Sequence, residues 1–402
     1  MLSTMKIIVV GTSNSVIGIE GFLQSLRLQH EVVQFSSGRT PFFCSLKTII
    51  NNKELIESCD LLILDHYIND MNFYRLKYGK EYDKLCDLFY KYLSSLNVDI
   101  LNLLFPIKDI ELRSTKPFYK WVKKLTFKYK LSCLDLNEYK FLPHHFKDQI
   151  HLNSNVSYAL GIVLGNYLNF PLFNIKPHGG FCSSMPITII NLPDYDHVNE
   201  SSSYENRLIN IKYVDLNKSI TLKRKNSDRL ISLGYLKPKG IKGMSGIAIN
   251  ENYCYGFSDT GYFHEMIDSP IYGSLNISPL FGNYDIKNLM GRGRSKGDFC
   301  YCYLTELVFY DVNVEMFYRS AKRNVINFNL PNLIEVSERL SPKILKLTDK
   351  TIEKLRDTAL SLENKDLAVA EQLMQLAHIA RPLGPVIKTK LDQYRERLKI
   401  KN

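Results

Sequence analysis

The chain has 402 residues, 45% of them hydrophobic and 23% charged, with 25 Tyr and 21 Phe but a single Trp, the make-up of an ordinary globular protein of two or three domains. Its eight cysteines contain no CxxC pair to anchor a zinc site, and no apolar run approaches the roughly 20 residues that span a bilayer. The formal net charge of +11 favours an acidic partner without choosing among an anionic polysaccharide, a phosphate-bearing donor, a membrane surface and nucleic acid.

The first apolar run, Ile7 to Val10, has the β-branched character of a buried parallel strand. A small-residue turn, Gly11-Thr12-Ser13-Asn14-Ser15, follows it, and apolar residues at Val16, Ile19, Phe22, Leu23 and Leu26 then carry helical spacing. Strand, turn and helix place the turn at the carboxyl edge of a parallel sheet. Glu31 to Phe35 reads as a second strand ending in the Ser36–Thr40 turn, where Gly38 permits close backbone approach. A helix near Ser45 to Ser58 leads to a third strand, Leu61 to Leu64, which ends in Asp65-His66-Tyr67-Ile68-Asn69-Asp70. An amphipathic segment, Met71 to Leu96, precedes strand four at Asp99 to Phe105, and a basic helix, Phe118 to Tyr129, precedes strand five at Ser132 to Leu136. A polar loop with His144, His145, Asp148 and His151 then runs into a helix from Asn155 to Leu168. Alternating strands and helices predict a parallel sheet covered on both faces, with functional loops at the strands' carboxyl ends.

The rhythm changes over residues 171–335, where short apolar or alternating runs separated by turn residues predict an antiparallel β-rich domain of sandwich or jelly-roll type. Its basic residues, Lys223, Arg224, Lys225, Lys237, Lys239, Lys242, Arg292, Arg294 and Lys296, form either a grip for an acidic glycan or a solvated basic surface. Residues 336–402 turn helical, with segments Thr351 to Leu362, Lys365 to Arg381 and Pro385 to Lys399 suited to packing or self-association. The scattered cysteines and an N-terminus without signal-peptide character lead to an expectation of reduced thiols and a cytoplasmic location.

One set of strand-end residues carries chemistry. Acyl transfer at a serine needs a nucleophile, for which Ser13 is placed, and a base, for which His151 is placed; Asp148, three residues earlier, can hold the other ring nitrogen. The N–H of Ser13, the N–H of Gly38 and the side-chain amide of Asn69 can serve as oxyanion donors. The competing residues are His144 and His145, read as surface histidines because no acid stands three residues before either. His66 is read as structural beside the oxyanion loop, and Ser15 as falling at the helix start.

These residues resemble a known family. GTSNS, the Gly38 turn, Ile68-Asn69-Asp70 and Asp148-Gln149-Ile150-His151-Leu152-Asn153 look like the four blocks of the SGNH (GDSL-type) hydrolase superfamily over about residues 5 to 168. The resemblance implies a three-layer α/β/α, flavodoxin-like domain over 1–170. It also implies Ser13 as nucleophile, Asp148 and His151 as the rest of a triad, and Gly38 and Asn69 as oxyanion donors. Two positions depart from the pattern: Thr12 stands where the namesake motif has Asp, and Tyr67 where the third block usually has Gly. The tail is similar to helical tails of bacterial capsule and surface-glycan biosynthesis proteins. The function expected is O-acetyl transfer onto a capsular or surface polysaccharide through an acyl-enzyme, with acetyl-CoA as donor and no bound cofactor or metal. The alternatives are a carbohydrate O-acetyl esterase and a non-catalytic glycan-binding or scaffolding protein; nucleic acid is not an expected partner.

Overall fold

Five strands build the parallel sheet: β1 (Lys6–Gly11), β2 (Glu31–Ser36), β3 (Leu61–Asp65), β4 (Asp99–Leu104) and β5 (Ser132–Asp135), in the order β2-β1-β3-β4-β5. The computed structural model describes residues 4–17, 21–38, 40–71, 76–108, 116–169, 176–195, 201–205, 210–237, 242–257, 261–267, 269–288, 294–340, 349–380 and 385–401. Residues of β1, β3, β4 and β5 are buried almost throughout, because helices cover both faces of a sheet whose strands run parallel. Gly11 lies opposite both Ser36 and Asp65, so three strand ends stop level with one another. Strand order reverses around β1, and such a reversal opens a crevice at the carboxyl ends.

The covering helices are α1 (Ser13–Ile17), α2 (Phe22–Leu26), α3 (Phe42–Asn51), α4 (Lys53–Ser58), the one-turn α5 (Tyr67–Asn69), α6 (Leu76–Ser95), α7 (Lys116–Lys128) and α8 (Ser154–Leu168). α2 packs on α8, while α3, α6 and α7 pack together, which gives the three layers expected. Where one helix is expected over Ser45 to Ser58, the chain breaks at Asn52, whose Nδ2 donates to the Thr48 carbonyl and closes α3. The helical spacing after Ser13 likewise resolves into the short α1 and α2, with Ile19 outside the described residues. In α6, Gly79 adopts φ +61°, a left-handed kink near its start.

The sheet gains a sixth strand from far along the chain. Asn327–Phe328 pairs in parallel with Cys133 and Leu134 of β5, and α9 (Leu333–Leu340) packs on α8. Phe328, Leu330 and Leu333 thereby join the core formed by residues 5–168.

The intervening region holds two six-stranded sheets around its own core of Leu230, Tyr235, Ile247, Phe257, Leu304 and neighbours. One sheet is antiparallel throughout, as expected, and the other is mixed: in it Met244–Ile249 pairs in parallel with Arg294–Tyr301, and Tyr253–Phe257 with Gly282–Asn288. Ile187, Ile231, Met266 and Val308 pack into the α/β core, so the two parts share apolar contacts. Lys47 of α3 reaches Glu306 across this junction at 2.7 Å. Several of the basic residues are spent internally: Arg224 on Asp228 at 2.7 Å, Lys225 on Asp311 at 3.6 Å, and Lys237 on the Gly243 carbonyl at 3.1 Å. Lys239 and Arg292 lie outside the described residues.

The tail forms α10 (Asp349–Leu362), α11 (Leu367–Ala380) and α12 (Pro385–Lys401), packed through Ile352, Ala370, Met374, Leu391 and Tyr394. Pro385 begins its helix as expected, and Arg381 to Gly384 lie outside the described residues. Among the described residues no helix is long and apolar enough to cross a membrane. All eight cysteines are free thiols, with Cys44, Cys59, Cys86, Cys133 and Cys302 buried.

Candidate active site

β1 delivers its last residue, Gly11, to the carboxyl edge of the sheet, and the chain turns there into α1. Within Thr12–Ser15 only Ser13 is partly exposed; the other three side chains are buried. The fixing group is Asp65, the buried final residue of β3. Its Oδ2 accepts from the Thr12 N–H (3.2 Å), the Thr12 hydroxyl (3.2 Å), the Ser15 N–H (3.1 Å) and the Ser15 hydroxyl (2.9 Å). Burial pushes the Asp65 carboxyl upward while these four donors hold it down, and burial prevails. Gly11 must be glycine, because a Cβ there would lie 2.2 Å from the Ser15 oxygen. Ser15 is therefore a buried anchor of the turn, as its expected place at the helix start implies.

The partner loop comes from the other end of the domain. His151 Nε2 lies 2.9 Å from Ser13 Oγ, and His151 Nδ1 donates to Asp148 Oδ2 at 2.7 Å. Asp148 Oδ1 also accepts the N–H groups of Ile150 (2.9 Å) and His151 (3.0 Å), an Asx turn that locks the three-residue spacing. Burial tends to raise the Asp148 carboxyl, but the Ile150 N–H and the His151 ring outweigh it and hold it below its ordinary range. Asn14 Nδ2 donates to the Ile150 carbonyl at 3.2 Å and so ties the serine turn to the histidine loop directly. With Nδ1–H committed to Asp148, a neutral His151 presents a bare Nε2 to the serine hydroxyl.

The Gly38 turn approaches Ser13. Among the described residues, leaving out its chain neighbours, a Cβ built on Gly38 would find only Ser13 Cβ, at 4.0 Å, within that range. Asn69, buried on α5, donates from Nδ2 to the Thr40 carbonyl at 3.4 Å, which draws it against the Gly38 turn. Behind it His66 donates from Nδ1 to Asp70 Oδ2 at 2.6 Å and receives the Tyr90 hydroxyl at Nε2 at 3.0 Å. His66 is fully buried in this network and has the structural role expected of it. Tyr67, in place of the usual glycine, is also buried; its hydroxyl donates to the Phe105 carbonyl and accepts from Asn137 at 3.0 Å.

His144 is exposed as expected, but His145 is not: it is 2% exposed, and its Nδ1 accepts the Leu142 N–H at 2.9 Å. An apolar setting between Phe141 and the adjoining loop explains the difference, since the ring packs edge-on against Phe141. Sequence reasoning passed over Asp65 and Asn14. The available signal for Asp65 was a carboxylate closing a wholly apolar strand, LLILD, where burial demands donors.

Two groups of side chains bring metal-ligating atoms within 4.8 Å of one another among the described residues: Cys44, His264 and Glu306, and His144, His145 and Glu338. In the first, Glu306 is already held by Lys47 and the Tyr262 hydroxyl, and burial pushes the Cys44 thiol far up, so it stays protonated. That set suits a cation poorly.

No protein-family model matches the chain, and no curated protein matches it. Among solved structures, an acetyl xylan esterase is similar at 16% identity, covering 41% of this chain and 98% of its own, with a TM-score of 0.33. The lipase/acylhydrolase from Enterococcus faecalis is similar at 17% identity over 41% of this chain and 96% of its own, TM-score 0.33. The esterase EstA from Pseudoalteromonas is similar at 15% identity over 41% and 95%, again with a TM-score of 0.33.

Proposed function

We propose that the protein is a serine-dependent acyl-ester enzyme acting on O-acylated carbohydrate. The observation that carries this reading is the 2.9 Å approach of His151 Nε2 to the Ser13 oxygen, with Asp148 on the opposite ring nitrogen. In the reaction, His151 takes the Ser13 proton as the oxygen attacks the ester carbonyl, and Asp148 stabilises the imidazolium that forms. The oxyanion is received by the N–H groups of Ser13 and Gly38 and the Asn69 amide, each donor contributing about 2.7–4 kcal/mol in the transition state. His151 then returns the proton to the departing sugar oxygen, leaving an acyl-serine, which a water activated by the same ring cleaves.

Hydrolysis is the favoured outcome because the Asp148 side chain is 48% and that of His151 15% exposed, which admits water to the rim. A second reading has a sugar hydroxyl in the place of water, giving an O-acetyltransferase of surface polysaccharide. The formal charge of +11 favours it, since acetyl-CoA carries phosphates and many such glycans are acidic.

Ser13→Ala should lower p-nitrophenyl acetate turnover by about 10⁴-fold or more while leaving the circular dichroism spectrum intact. Unchanged turnover rejects the nucleophile. Adding acetyl-CoA and an acidic polysaccharide while following free thiol separates the two readings: thiol release that needs the glycan supports transfer, and glycan-independent release supports hydrolysis. A wild type that binds glycan but turns over no ester would instead be a binding module on this fold.

A further inference from the structure

A cleft of about 410 Å³ lies where α3 and the ends of β1 and β2 face Ile211 and Tyr262 of the β-rich region. It borders the reacting serine's surroundings: Gly11 and Thr40 line it, and so does Ser37, the immediate neighbour of Gly38. Thr40 also supplies the carbonyl that holds Asn69. Its polar groups are hydroxyls and amides, among them Ser36, Ser37, Thr48 and Asn51. Among the described residues of the lining, Lys47 is the one lysine, arginine or carboxylate side chain, and Glu306 already holds it at 2.7 Å.

A pocket for an acyl chain would be lined by hydrocarbon, and one for a phosphate by free cations or converging N–H groups. This lining is mixed, with Val10, Phe35, Ile211 and Tyr262 standing among the hydroxyls and amides. Neutral hydroxyls and amides beside an aromatic ring match a sugar, whose hydroxyls both give and accept hydrogen bonds. Ser36 adds an independent sign. It is 6% exposed, and its hydroxyl has no hydrogen-bond partner among the described residues, an unusual state for a buried polar atom. It sits at the end of β2, among the residues of the cleft wall.

We infer that the cleft between α3 and the β-rich region is the subsite for the sugar ring that bears the ester, built jointly by the two parts of the chain. The inference rests on the catalytic reading above. The β-rich region thus acts as the second wall of the site.

The probes are glucose pentaacetate, a sugar ester, and p-nitrophenyl acetate, an ester without a sugar. Asn51 is exposed at the end of α3, so Asn51→Trp fills the cleft without entering a core. It should raise KM for glucose pentaacetate by about tenfold or more and leave kcat/KM for p-nitrophenyl acetate within about twofold. Ser36→Ala removes a hydroxyl that no described group uses, and should lower kcat/KM for the sugar ester alone by about threefold to tenfold. Equal effects on both esters, whether none or a parallel loss, overturn the proposal. Calorimetric binding of glucose pentaacetate to Ser13→Ala separates this failure from failure of the catalytic reading. If binding persists in Ser13→Ala and is lost in Asn51→Trp, the subsite stands whatever Ser13 does. If both variants bind alike, the subsite is wrong even if Ser13 proves to be the nucleophile.

Discussion

Gly38 gives the sharpest residue-scale test of the oxyanion reading. Because among the described residues nothing but Ser13 Cβ, apart from its chain neighbours, comes within 4.0 Å of a Cβ at that position, Gly38→Ala meets no clash with them in the free protein. The added methyl occupies room that a substrate carbonyl needs beside Ser13. The expected outcome is a melting temperature close to wild type with kcat/KM lowered by about tenfold or more; wild-type turnover would remove Gly38 from the oxyanion site. That Ser13, Asp148 and His151 come together was legible in the sequence because all three stand where loops gather at the sheet's carboxyl edge, and three-residue spacing suits an Asx turn. Asp65 was harder to read: its role follows from the level register of β1 and β3, which spacing alone does not specify. His145 misled because its residue type predicts exposure, and only the packing of Phe141 reveals otherwise.

At the scale of elements, the apolar runs of β1 to β5 were legible because strands buried on both faces leave an unbroken hydrophobic signature. Helix limits were read less well, since Asn52 and Gly79 interrupt segments whose periodicity continues across them. The first residue of β4 carries a cost: Asp99 is 3% exposed, and one of its oxygens has no hydrogen-bond partner among the described residues. Burial raises its carboxyl to about 6 despite the nearby Arg323. A raised carboxyl contributes stability that is fully present below the unfolded value near 3.8 and lost as pH rises through about 6. Asp99→Asn should therefore raise the unfolding free energy at pH 7.5 by about 1–2 kcal/mol once screening by water is allowed for, and the gain should shrink toward pH 4.5. A gain independent of pH would show that Asp99 ionisation is not its source.

For the molecule as a whole, Glu306 is the pin between the α/β part and the β-rich region. Burial works against its charge, but Lys47 and His264 hold its carboxyl well below the ordinary range. Its contribution is therefore present above about pH 4.5 and lost in acid. Glu306→Gln should destabilise the protein by about 3 kcal/mol at pH 7, because it leaves Lys47 without its partner. The deficit should narrow as pH falls below 4.5, and thermal unfolding across pH measures it. A constant deficit would point to lost packing instead. Mixed pairing in one of the β-rich sheets and the shared core were not legible, because both depend on contacts between residues far apart in the chain.

The sixth strand has a bearing on how this protein is made. Until Asn327–Phe328 emerges from the ribosome, β5 remains a bare sheet margin with unpaired amides, the kind that invites a neighbouring chain to add on. Some 160 residues of β-rich polypeptide are synthesised between the last helix of the early half and its closing strand. The early half must therefore wait for completion, and a fragment ending near residue 170 would keep that margin open permanently.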